Sequence, residues 1–120
     1  MNKQAVEITD ILKALSNEQR FVIVGWLADP RAHFPEQQDG DLVDDGVCVG
    51  FITEKIGLSQ PTVTGHLNIL SKAGIVTSKR IKNWVFYKLV PEQLNVAIGA
   101  LSECMTLASH RSSPNSLTLD

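Results

Sequence analysis

Hydrophobic spacing in this chain switches from a helical to a strand-like pattern once, at Ile75, and that switch constrains the fold more than any other feature. Residues 75–81 are rich in β-branched side chains, and residues 84–90 in aromatic and branched ones. The Lys82-Asn83 pair between them predicts a two-stranded hairpin. Just ahead of the switch, Val49, Ile52 and Ile56 predict a short helix over about 48–56, ended by Gly57. Ser59 then caps a second helix. Pro61 falls in its first turn, where a missing N–H does no harm. Val63, Leu67, Leu70 and Ala73 form the buried stripe of that helix, and Gly74 ends it. Helix, tight turn with Leu58 packed inside it, helix, hairpin: this order predicts a winged helix-turn-helix.

The flanking sequence supplies the rest of a mainly α domain with a β-hairpin wing, five helices and two strands in all. Ile8, Ile11, Leu12 and Leu15 predict a first helix over about 4–15. Asn17 or Ser16 caps the next, with Phe21, Val24, Leu27 and Ala28 expected on its buried side and Asp29-Pro30 as its stop. Residues 30–46 hold two prolines, two glycines and five acids without periodicity, and read as a long acidic loop. Leu94, Ile98, Leu101 and Met105 place a stripe on a last helix that starts at Pro91. The expected domain is therefore 1–108, followed by a disordered tail, 109–120. No run of about 18 apolar residues is available for a transmembrane helix, and the N-terminus lacks a secretion signal's apolar core. A cytoplasmic protein with no membrane partner is expected.

Charge points to a partner. Residues 59–90 carry Lys72, Lys79, Arg80, Lys82 and Lys88 with no acid, while the overall net charge is -2. A basic stretch inside an acidic chain suits a face that meets a polyanion. The fourth helix turns Gln60, Thr62, Thr64, Gly65, His66 and Asn68 away from its apolar stripe. These short, uncharged groups can hydrogen-bond base edges and phosphates in a major groove. Gly65 costs the helix about 1 kcal/mol relative to alanine, a cost with a use where backbone must approach another surface.

Three stretches together carry a family likeness. They are LSQPTVTGHLNIL at 58–70 with AGIV at 73–76, LKALSNEQR at 12–20, and FYKL at 86–89. In these the chain resembles the ArsR/SmtB family of bacterial repressors over residues 6–107. The resemblance implies a homodimer built from the first and last helices, binding double-stranded operator DNA and releasing it on an inducer. It implies DNA contacts from Ser59, Gln60, Thr62, Thr64 and His66, with Lys79, Arg80 and Lys82 of the wing on phosphates. Other roles stay open at this point: an N-cap for Ser59, a solvated helix face for Thr62 and Thr64, and a packing role for His66.

The inducer is not named by the sequence. Cys48 and Cys104 are candidate sensor thiols, or equally two small buried hydrophobes. Val47-Cys48-Val49-Gly50 keeps one of the two cysteines that arsenite sensors of the family carry. The last helix lacks the family's zinc-ligand spacing, and the second helix lacks the cysteine of its persulfide sensors. No cofactor is certain. A metal ion, held by Cys48 with oxygen ligands from the loop, would rest on incomplete ligand patterns. The loop itself reads as a solvated connection, a metal or partner site, or an electrostatic element that repels DNA or holds the basic wing. No Ser-His-Asp spacing, P-loop or GxGxxG is present, so no enzyme is expected. The alternative function is a winged-helix protein-interaction module without specific DNA binding.

Overall fold

The computed structural model describes residues 3–111. Six helices and three strands follow in the order α1 (Lys3–Leu15), α2 (Glu18–Ala28), α3 (Pro30–His33), β1 (Val47–Cys48), α4 (Val49–Ile56), α5 (Gln60–Lys72), β2 (Val76–Ile81), β3 (Trp84–Leu89) and α6 (Pro91–Arg111). The helix-turn-helix is α4–α5 and the wing is β2–β3. The expected five helices and two strands are one short in each class. Pro30, expected only to stop α2, also opens the single turn α3, because its fixed φ suits a first helical position. Cys48, expected inside a helix, instead pairs with Phe86 in β1, and Val47 pairs with Tyr87. Two residues are too few to show alternation. The sheet order is β1-β3-β2, all antiparallel, so the second wing strand is central.

Local chemistry sets the helix ends. Asn17 caps α2 by accepting the Arg20 N–H at 3.0 Å. Gly57, in the left-handed region at φ 76°, closes α4 and aims the chain into α5. At the end of α5, Gly74 N–H donates to Ser71 O and Ile75 N–H to Leu70 O, a Schellman closure. Gln93 of α6 adds a third bond to that end, donating to Ala73 O at 2.7 Å.

The core runs under all these elements. Ile11, Ile23, Val47, Ile52, Val63, Leu67, Leu70, Ile75 and Phe86 are its most buried members. The second helix differs from expectation. Its buried residues are Ile23, Val24 and Leu27, whereas Phe21 is 65% exposed and Ala28 is exposed. Apolar on nearly every side, that segment carries too weak a periodicity to fix its rotation. α6 packs on α1 through its first half, with Ala97 buried. From Leu101 to Arg111 every residue is exposed. Ser109–Arg111, expected in the tail, are helical, and residues 112–120 lie outside the described residues.

The loop between α2 and β1 is ordered by its own side chains. Phe34 and Leu42 are buried. Asp41 accepts the N–H groups of Val43 and Asp44 at 2.9 and 2.8 Å, which fixes a turn. Those bonds hold the Asp41 carboxyl below the usual carboxylate range. Gln37 donates to Gly40 O and Gly46 O and accepts the Cys48 N–H at 2.7 Å, so one side chain pins both ends of the segment. Gly46 has φ 109°, and a side chain there would strike the Tyr87 carbonyl, so only glycine admits β1 to the sheet.

Candidate nucleic-acid interface

The outward face of α5 starts at its cap. The Ser59 hydroxyl oxygen accepts the Thr62 N–H at 3.4 Å, and the hydroxyl donates to Thr62 Oγ1 at 2.9 Å. Ser59 is thus the N-cap, and Thr62 keeps its own O–H proton to donate outward. Gln60, Thr62 and Asn68 are exposed and Thr64 is half-buried. A Cβ built on Gly65 meets nothing within 4 Å. The fold therefore makes no steric demand for glycine there.

His66 differs from its neighbours. It is half-buried, with Nδ1 3.2 Å from an Arg20 guanidinium nitrogen. Burial and that guanidinium lower its pKa below 6.5, so the ring is held neutral and accepts at Nδ1. The same Arg20 donates to Ala14 O at 2.6 Å and Lys13 O at 3.5 Å. One side chain thereby ties the end of α1 to α5. The sequence gives no direct sign of this bridge, since the residues lie 46 positions apart.

The wing packs against α5 through β2. Thr77 to Arg80 are exposed in a continuous run, and Lys82 takes the left-handed turn position at φ 55°. The acidic loop meets this hairpin. Lys79 pairs with Asp45 at 2.6 Å, Lys82 with Asp39 at 3.0 Å, and Lys88 donates to Asp44 O at 3.3 Å. The Lys79 hydrogen bond, with one from Asp41 N–H, lowers the Asp45 pKa. The Arg80 side chain makes no ion pair among the described residues.

The two cysteines lie in unlike surroundings. Cys48 is buried, while Cys104 is exposed on α6, against its reading as a buried hydrophobe. Cys48 lines a cavity of about 400 Å³ with Gln37, Phe51, Trp84 and Phe86, between the loop, the start of α4 and the wing. Among the described residues no three His, Cys, Asp or Glu side chains gather as a metal site, so the loop acids do not complete a ligand set around Cys48. Among the described residues no helix is long and apolar enough to cross a membrane.

Residues 44–78, from the loop end through the helix-turn-helix into β2, match the family model described as bacterial regulatory protein, arsR family. The chain is 39% identical over 98 residues to the uncharacterized HTH-type transcriptional regulator YbzH of Bacillus subtilis, covering 82% of this chain and 94% of the relative. It is 30% identical over 101 residues to the biofilm growth-associated repressor of Xylella fastidiosa, covering 84% and 75%. An ArsR-like transcriptional regulator from Rhodococcus shares the fold with a TM-score of 0.68 at 20% identity, covering 89% of this chain and 87% of that one. So does a homodimeric winged helix-turn-helix DNA-binding domain from Mycobacterium bovis, with a TM-score of 0.58 at 19% identity over 94% and 96%. A relative matched along most of both chains, together with the family's helix-turn-helix, establishes that this protein belongs to the ArsR family of bacterial regulatory proteins.

Proposed function

We propose that the protein is a homodimeric transcriptional repressor of the cytoplasm, not an enzyme, that binds double-stranded operator DNA and leaves it when an inducer binds. The observation that carries this reading is the pairing of two unlike surfaces. The outward face of α5 offers Gln60, Thr62 and Thr64 without charge, and the adjoining wing offers Lys79, Arg80 and Lys82. The first suits base edges and the second suits phosphates. Ser59 serves as the cap and holds Thr62. His66 keeps one ring nitrogen toward Arg20, so its contribution to DNA is through the other nitrogen or through the set of α5.

The dimer is supported by α6. Ile98, Leu101, Met105 and Leu107 are exposed, as is Leu12 of α1, the helix that α6 packs on. Covering a Leu or Ile side chain yields roughly 1.5–3 kcal/mol, so such a seam is enough to join two chains. Residues 1–108 are taken as one DNA-binding and dimerising unit. The candidate inducer sites are the exposed Cys104 thiol and the buried Cys48 beside its cavity.

Binding to a duplex containing the protein's own promoter region tests the proposal. A dimer that neutralises about 6–10 phosphates loses about a thousandfold or more in affinity between 50 and 200 mM salt. Absence of duplex binding at 50 mM salt, or a response flat in salt, transfers the protein to the class of winged helices that bind other proteins.

A further inference from the structure

The acidic loop reaches the wing at the residues that the proposed function assigns to phosphate. Of the four cations on the hairpin, Lys79, Lys82 and Lys88 are all engaged by residues 39–45, and Arg80 is not. The two members of each pair are unequally held. The Lys79 and Lys82 side chains are 58% and 71% exposed, whereas Asp45 and Asp39 are 21% and 28% exposed. Asp45 is fixed further, because its second oxygen accepts the Asp41 N–H at 2.7 Å. Behind these carboxylates stand the Asp41 turn, the Gln37 pin and the buried Phe34 and Leu42. A rigid support presents the negative charges, and flexible lysines come to them.

We propose that the loop over residues 39–45 is a built-in competitor for DNA phosphate, occupying Lys79 and Lys82 in the free protein and giving them up only when the duplex is bound. The inference rests on the DNA-binding reading above. Its effect is general. A lysine that leaves a carboxylate for a phosphate gains little net charge neutralisation, so every duplex is bound less tightly. Contacts from α5 to base edges are untouched by the loop. Operator and random duplex both draw the wing lysines onto phosphate, so both lose affinity by the same factor and the ratio between them is kept. The competitor also makes the salt response shallower without abolishing it, because the freed carboxylate takes up a cation as the phosphate sheds one, while Arg80 has no such carboxylate among the described residues.

Asp39→Asn and Asp45→Asn test this against Asp44→Asn. The third variant removes the same charge from the same loop, but only the Asp44 carbonyl touches the wing. Each exposed pair is a weak interaction, and a dimer carries each pair twice, so Asp39→Asn is expected to tighten binding to random duplex by about two- to twentyfold. Its log-log salt slope steepens by about 1 to 2. Asp44→Asn changes binding less than Asp39→Asn does, and in a Lys82→Ala background Asp39→Asn changes binding no more than Asp44→Asn does. Asp39 makes no other hydrogen bond in the loop, so that arm stands even if Asp45→Asn disturbs the turn. Equal gains from Asp39→Asn and Asp44→Asn would show general repulsion and overturn the competitor. Wild type and variants that all fail to bind duplex would instead overturn the repressor reading, and the competitor with it.

Discussion

Gly65→Ala separates what α5 needs in order to fold from what it needs in order to bind. Glycine in a helix interior is less favourable than alanine by roughly 0.8–1.0 kcal/mol, from backbone entropy and lost shielding. At Gly65 nothing within 4 Å opposes a methyl group, and the residue is exposed in the middle of α5. The substitution is therefore expected to stabilise each protomer by about that full amount. For a domain of this size it raises the melting temperature by roughly 3–6 °C. DNA binding should move the other way. With α5 in a major groove, a methyl at the closest backbone approach displaces neighbouring side chains from their partners. Affinity then falls by about 1–3 kcal/mol, the size of one lost base contact. Thermal melts at one fixed protomer concentration measure the first effect, and competition against random duplex at one fixed salt measures the second. A variant that is stabilised yet binds operator as well as wild type refutes the close approach at Gly65. A variant that is destabilised refutes the open space around it. Gly46→Ala is the contrasting control. Its Cβ would collide with the Tyr87 carbonyl, so it should lose stability.

Three further outcomes are expected. Leu101→Glu places a charge in the exposed stripe of α6 and should give a monomer in sedimentation at micromolar concentration; a persistent dimer would move the interface elsewhere. Arg80→Ala should weaken operator and random duplex alike and lower the salt slope, whereas Thr64→Ala should lower the ratio between them; the reverse pattern would exchange the roles of wing and helix. The His66 pKa is depressed, so the unfolded chain binds the extra proton first as pH falls. Stability from this site is present above about pH 6.5 and declines below it, and an NMR titration midpoint for His66 at or above 6.5 would contradict the Arg20 contact.

The helix-turn-helix and the wing were legible because each signal was local and redundant. Ser59, Pro61 and the Val63, Leu67, Leu70 stripe specify α5 by capping, proline placement and period at once, and all three agree with the structure. The rotation of α2 was not legible, because FVIVGWLA offers an apolar residue to almost every side and leaves tertiary packing to choose. The acidic loop reads from its sequence only as a connection of several uses, because its order comes from single contacts. Gln37 reaches Gly46 and Cys48, and Asp45 reaches Lys79 across 34 positions. A carboxamide or a carboxylate in a loop gives no advance notice of which distant partner it meets. The same holds for Arg20 and His66. The sequence marks both as polar residues near helices, and only the packing of α1, α2 and α5 brings them together.

The strand β1 also fixes an order of events in time. Its two residues pair with Phe86 and Tyr87, nearly 40 positions later, whereas β2 and β3 meet across the turn of Lys82 and Asn83. Closing the longer loop costs roughly 2–3 kcal/mol more chain entropy than closing the hairpin, and only two residue pairs offset it. The hairpin therefore forms early, and β1 docks late, on a wing that already exists. Until it docks, the acids of the loop it terminates are not held against the wing. A nascent chain then exposes its basic wing before the acids that cover it are seated.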